Sequence, residues 1–150
     1  MAEYVVETRG INKKDIHNAV LIHRKEIGQG FLSSLGSRAL ELIFTHAAIS
    51  KSGILLIARD KPGGSVCGFL LGTMNTDSFY KEFLLRKSIP ALITLLPHVF
   101  SLFKLRMILE TLLYPSKIKI KNLPDAELLD IAVSSEHQGK GMPSFCFKNL

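Results

Sequence analysis

The stretch Ala126 to Leu150, AELLDIAVSSEHQGKGMPSFCFKNL, decides how this chain is read. Leu128 to Val133 is an apolar run carrying a single acid, Asp130, which is the pattern of a mostly buried strand, and Ser134 to His137 is a polar break after it. A glycine-rich turn follows at Gln138-Gly139-Lys140-Gly141. Pro143 then stands where the first residue of a helix belongs, with Phe145, Phe147 and Leu150 as its apolar positions. The order is strand, glycine turn, helix. A helix N-terminus offers unpaired N–H groups and partial positive charge, and glycines let an anion approach them, so phosphate is the natural guest.

Two widespread phosphate loops fail against the letters. A P-loop needs Gly-x-x-x-x-Gly-Lys-Ser/Thr, whereas Lys140 is followed by Gly141 and lacks the upstream glycine. The dinucleotide fingerprint fails at Ser144, where its third glycine or alanine belongs. The segment instead resembles the pyrophosphate loop of the GNAT family, the acyl-coenzyme A dependent N-acetyltransferases. That loop reads Gln/Arg-x-x-Gly-x-Gly/Ala after a strand ending in a small residue and valine; here Gln138-Gly139-Lys140-Gly141-Met142-Pro143 follows Ile131-Ala132-Val133. Pro143 departs from the pattern and has no N–H to give a phosphate.

One hundred and fifty residues fit one domain, spanning 1–150, with a single sizeable core. A hydrophobic fraction of 47% against 21% charged is that of a globular chain, with no linker or repeat. The N-terminus lacks a basic region followed by an apolar one, so no secretory signal is expected and the cytoplasm is the expected compartment. Cys67 and Cys146 are far apart and favour two buried thiols over a disulfide or metal framework. The net charge of +6 suits an anionic cofactor. Nucleic acid is not expected as a partner, because the basic residues are scattered and not interleaved with aromatics. The run Lys117-Ile118-Lys119-Ile120-Lys121 reads as a solvated edge strand.

In chain order, Tyr4 to Arg9 is a β-prone opening ended by Gly10. Asn12-x-x-Asp15 is a variant helix cap, and Ile16, Ala19, Val20, His23 and Ile27 share one helical face, where His23 is expected as a packed core residue rather than a ligand. Phe31 to Gly36 is expected as a loop and Ser37 as the next N-cap. Leu40, Ile43, Phe44, Ala47 and Ala48 then form the stripe of a helix laid on a sheet. Ile54 to Ala58, the turn cluster Asp60 to Ser65, and Val66 to Thr73 read as a hairpin. From Ile89 to Phe103 the chain has no Asp, Glu, Lys or Arg, yet a bilayer span needs about 20 apolar residues, and Pro97, Lys104 and Arg106 interrupt or bound the run. It reads as two helices or one kinked helix. A membrane span is not expected, and leftover apolar surface there would serve a homodimer or a membrane interface.

The resemblance implies an α/β fold of GNAT type, with a mixed, mostly antiparallel central sheet flanked by helices. It implies transfer of an acetyl group from acetyl-CoA to a small amine or amino sugar, with no metal. It places Ile131, Ala132 and Val133 beside the pantetheine arm through main-chain groups, and Gln138, Gly139, Lys140, Gly141 and Met142 around the pyrophosphate. Glu127 matches the place where some members carry a catalytic glutamate; a structural acid is the other reading. Strand alternation alone puts Glu127, Leu129, Ile131 and Val133 on one face and Leu128, Asp130 and Ala132 on the other. His137 reads as a surface residue. Family members continue past the loop with a further strand and helix, so the chain reads as C-terminally truncated, lacking those strands and expected to turn over poorly or not at all; the rival reading is a non-catalytic remnant whose segment 89–103 binds a partner or membrane surface.

Overall fold

The computed structural model describes residues 4–29, 31–83, 85–86 and 125–140. The expectations that concern 89–103, 117–121, Gly141, Met142, Pro143 and Cys146 lie outside these residues. In chain order the elements are β1 (Val5–Glu7), α1 (Lys13–Glu26), α2 (Phe31–Ser34), α3 (Ser37–Ile49), β2 (Gly53–Arg59), β3 (Val66–Thr73), a helix α4 over 76–83, and β4 (Glu127–Val133). The strands form one sheet in the order β1-β2-β3-β4, each neighbouring pair antiparallel. The result is an α/β domain of antiparallel sheet and packed helices.

The start of α1 follows from its cap. The Asn12 side chain accepts from the N–H groups of Lys14 (2.8 Å) and Asp15 (3.1 Å), and the Asp15 carboxylate accepts the Asn12 N–H at 3.0 Å. This closes a capping box, with Asp in the position more often held by Glu. The same Asp15 accepts from Arg59 of β2 at 2.8 Å, and Arg59 also reaches Glu7 of β1 at 2.9 Å and the Gly64 carbonyl at 3.1 Å. One buried acid therefore ends a helix and fastens it to two strands.

Strands β2 and β3 read as continuous apolar runs because both of their faces are buried. Leu55, Ile57, Phe69 and Leu71 face α1 and α3, meeting Ile16, Ala19, Val20, Leu40, Phe44 and Ala47. Leu56, Ala58, Cys67 and Leu70 face the other way, with Tyr4 and Val133. Phe44 stacks edge-on against Phe69 with ring centroids 5.0 Å apart, at the centre of the helix-facing core. Cys67 is buried, its thiol directed at the Ala58 carbonyl.

Two boundaries differ from the sequence reading. Phe31–Ser34 is one turn of helix rather than an irregular loop, and its reason is tertiary: the Ser33 hydroxyl donates to the Ile27 carbonyl and meets His23. The N-cap of α3 is Gly36, at φ 82°, and Ser37 is the first helical residue. Helix α4 starts at Asn75, whose side chain accepts the Ser78 N–H at 2.8 Å. Its Glu82 accepts from the hydroxyls of Ser50 (2.6 Å) and Ser52 (3.0 Å), which hold that carboxyl below its usual range and tie α4 to the α3–β2 corner.

The Arg59 cluster gives a stability test. Arg59→Met removes the partner of a carboxylate that is only 4% exposed, and breaking such a buried pair costs about 3 kcal/mol. Urea unfolding should show the midpoint fall with little change in slope; an unchanged midpoint would mean that the cluster contributes nothing net.

Candidate functional site

Three polar groups of residues converge on β4, two of them anchored on α1 and one on α4. The first is the turn after the strand. The Ser134 N–H closes the ladder on the Cys67 carbonyl at 2.8 Å, and Ser135–His137 then form a single 3-10 turn. Glu26, at the end of α1, accepts the Ser135 N–H at 2.9 Å and the Gln138 side-chain amide at 3.3 Å. The same Gln138 nitrogen donates to the Val133 carbonyl at 2.9 Å. Gln138 is thus a brace that folds the turn back on its own strand. Gly139 follows at φ 73°, a left-handed conformation that side chains disfavour, and a Cβ placed there would meet only open space. Lys140 is exposed and donates to the Glu136 carbonyl at 2.9 Å. His137, expected at the surface, is half-buried with its ring set edge-on to Tyr4 at 5.9 Å.

The second group is at the other end of β4, about 20 Å away for a strand of seven residues. Glu127 is exposed and accepts from the Thr76 hydroxyl at 2.8 Å. Tyr80 lies one helical turn beyond Thr76 on the same side of α4. Burial, with the negative charge of Glu127 adding to it, pushes the Tyr80 phenol above its ordinary range. Asn75 donates to Asp125 at 3.2 Å just before the strand. A carboxylate and a hydroxyl therefore meet where β4 begins, with a phenol close enough to feel the carboxylate's charge.

The third group lies between them. His23 on α1 is 1% exposed, and its Nδ1 is hydrogen-bonded to Asp130 while its Nε2 lies 3.1 Å from the Ser33 hydroxyl on α2. The residue types are those of a Ser-His-Asp relay, but the hydrogens run the other way. A carbonyl has none to give, so the single Ser33 hydroxyl hydrogen belongs to the bond with Ile27. Nε2 must then supply the hydrogen between ring and serine. A nucleophilic relay needs a bare Nε2 that accepts the serine proton. Here the histidine holds the serine rather than activating it.

The alternation expected along β4 is broken. Glu127 pairs with Thr73 and Leu128 with Gly72, but Leu71 pairs with Asp130, so Leu129 is an extra residue in the strand. This bulge is the physical reason that Glu127 does not share a face with Ile131 and Val133. Glu127, opposite Thr73, and Asp130, opposite Leu71, both stand on the side of α1 and α3, as does Ala132. Ile131 and Val133 stand on the side of Tyr4 and Leu56. Gly72 sits at the irregularity, where a Cβ would come within 3.2 Å of the Glu127 carbonyl oxygen.

Of the residues singled out in the sequence, Ile131, Ala132, Val133, Gln138, Gly139 and Lys140 are contiguous at one end of β4, and Glu127 is at the other. Glu26, Ser33, Thr76 and Tyr80 were not singled out. Each acts through a partner distant in sequence, and only the helical spacing of Thr76 and Tyr80 was there to be read. Comparison with known proteins returns no matching family model, curated protein or solved structure.

The nearness of Tyr80 to Glu127 is measurable. In Glu127→Gln the Tyr80 phenol should titrate lower than in the wild-type chain, yet still above a free tyrosine because burial remains. NMR of the tyrosine rings across an alkaline titration reads this directly; an unmoved Tyr80 midpoint would separate the two residues.

Proposed function

We propose that the chain is an acyl-coenzyme A dependent N-acyltransferase of GNAT type, moving an acetyl group from acetyl-CoA to a small amine or amino sugar. The observation that carries this reading is the turn Gln138 to Lys140. It follows β4 after one 3-10 turn, is braced by Glu26, and presents an open left-handed glycine beside a lysine. An anion needs unhindered backbone and positive charge, and this turn offers both.

From a pyrophosphate over Gly139, the pantetheine arm would run along β4 toward Glu127. Beside its ladder with β3, the strand has a second edge without a strand partner among the described residues, and an amide-bearing arm can pair there as an added strand does. The bulge at Leu129 interrupts the ladder and supplies backbone N–H for the thioester carbonyl, stabilising the oxyanion as the amine attacks. The carbon–nitrogen bond forms, the carbon–sulfur bond breaks, and the amine proton passes to Glu127. Tyr80, held neutral by burial, is the group that can return a proton to the leaving thiolate.

Two substitutions test the two ends. Gly139→Val forbids the left-handed backbone and should weaken coenzyme A binding by about tenfold or more. Calorimetry with coenzyme A on both proteins decides it, and equal affinities would remove the turn from the cofactor site. Glu127→Gln should lower turnover by about 10²-fold with coenzyme A affinity unchanged. An unaltered pH–rate profile would leave Glu127 a structural acid.

A further inference from the structure

We propose that His23 is a positioning residue for β4: by bonding Asp130 through Nδ1 and Ser33 through Nε2, it holds the Leu129 bulge and so decides which face of the strand Asp130, Ile131 and Val133 occupy relative to Glu127. Its bearing on catalysis rests on the acyltransferase reading; its control of the strand does not.

The argument starts from two anchors on one strand. Asp130 is bonded to His23 and pairs with Leu71, which fixes the register of the second half of β4. Glu127 accepts from Thr76 and pairs with Thr73, which fixes the first half. Between these anchors β4 has one residue more than β3 can match, and Leu129 is that residue. If the His23 bond were absent, the first half could keep its pairing and run on without a bulge, bringing Leu129 opposite Leu71. That register would suit an apolar face, since Leu129 already packs against the helix-facing core. It would also carry Asp130 to the side of Leu56, Cys67 and Leu70, where no carboxylate is accommodated. Neither face suits a lone carboxylate; the bulged register is favoured because on the helix side Asp130 has His23 as its polar partner.

The surroundings of His23 leave the choice to this bond. Its ring meets Phe44 of α3 edge-on at 6.4 Å and Phe69 of β3 at 6.3 Å. Asp130 is the charged group that bonds it, and Ser33 and Asp130 are its polar partners. Because Ser33 belongs to α2, the same ring couples the segment between the first two long helices to the position of the bulge.

The test uses two near-isosteric variants. The amide of His23→Asn reaches the place of Nδ1 but not of Nε2, and that of His23→Gln reaches the place of Nε2 but not of Nδ1. Backbone NMR then reads the cross-strand partner of Leu71. His23→Asn should keep Asp130 opposite Leu71 while exchange protection at Ser33 falls. His23→Gln should lose the Leu71–Asp130 pairing while keeping α2. Asp130 remaining opposite Leu71 in His23→Gln would overturn the proposal. Nitrogen NMR of the native imidazole decides it even where a variant does not fold: a proton on Nε2 is expected, and a bare Nε2 would overturn the assignment. A native chain that shows the bulge and its loss in His23→Gln but does not bind coenzyme A would sustain the positioning role and defeat the acyltransferase reading. The reverse pattern would do the opposite.

Discussion

The bond between His23 and Asp130 is the constraint on which the placement of everything else depends. Both partners are out of water, His23 at 1% and Asp130 at 10% side-chain exposure. Leaving either one unpaired costs about 3–5 kcal/mol, a sum comparable with much of the net stability of a small domain. The interaction spans the chain, joining α1 to the last strand described, and it lies among Phe44 and Phe69 rather than at an edge.

Helix α1 is consequently fastened by polar bonds at three heights on an otherwise apolar bed. Asp15 binds Arg59 near its start, His23 binds Asp130 toward its end, and Glu26 binds Ser135 and Gln138 at its last residue. Apolar contacts supply the bulk of the attachment, but they are tolerant of sliding. Directional bonds are not, and they set the helix at one height relative to β2 and β4. The turn after β4 inherits its position from this arrangement, since Glu26 can reach Gln138 only if the helix is in place. A scaffold that fixes a glycine turn this way spares a bound anion the entropy of ordering it.

The fold was legible where the signal is local. The cap at Asn12 and Asp15, the stripe through Leu40, Ile43, Phe44 and Ala47, and the hairpin around Asp60 to Ser65 all rest on neighbours within a few residues, and each is present. What escaped is long-range. Alternation along Glu127 to Val133 assumes an unbroken ladder, and the bulge at Leu129 arises from bonds to His23 and Thr76, far off in sequence. Phe31 to Ser34, flanked by glycines, read as a loop because its helical turn is stabilised by Ile27 and His23 rather than by its own composition. Gln138 reads as a ligand contact by its place in a motif, while its bonds to Glu26 and the Val133 carbonyl, which brace the turn, could not be read from the sequence. His23 read as core and is core, but the acid it meets could not be inferred from a helical face.

The proposed site of acyl-coenzyme A is one surface, the outer length of β4 from Glu127 through its bulge to Lys140. An amide-resolved NMR titration of the chain with acetyl-CoA tests it most directly. Saturable shifts should be confined to Glu127 through Lys140, to Thr76 and Tyr80 beside Glu127, and to the residues that brace the turn, Glu26 and Cys67, while the Arg59–Glu7 corner stays still. No saturable shift along β4, or shifts centred on a different part of the molecule, would contradict it.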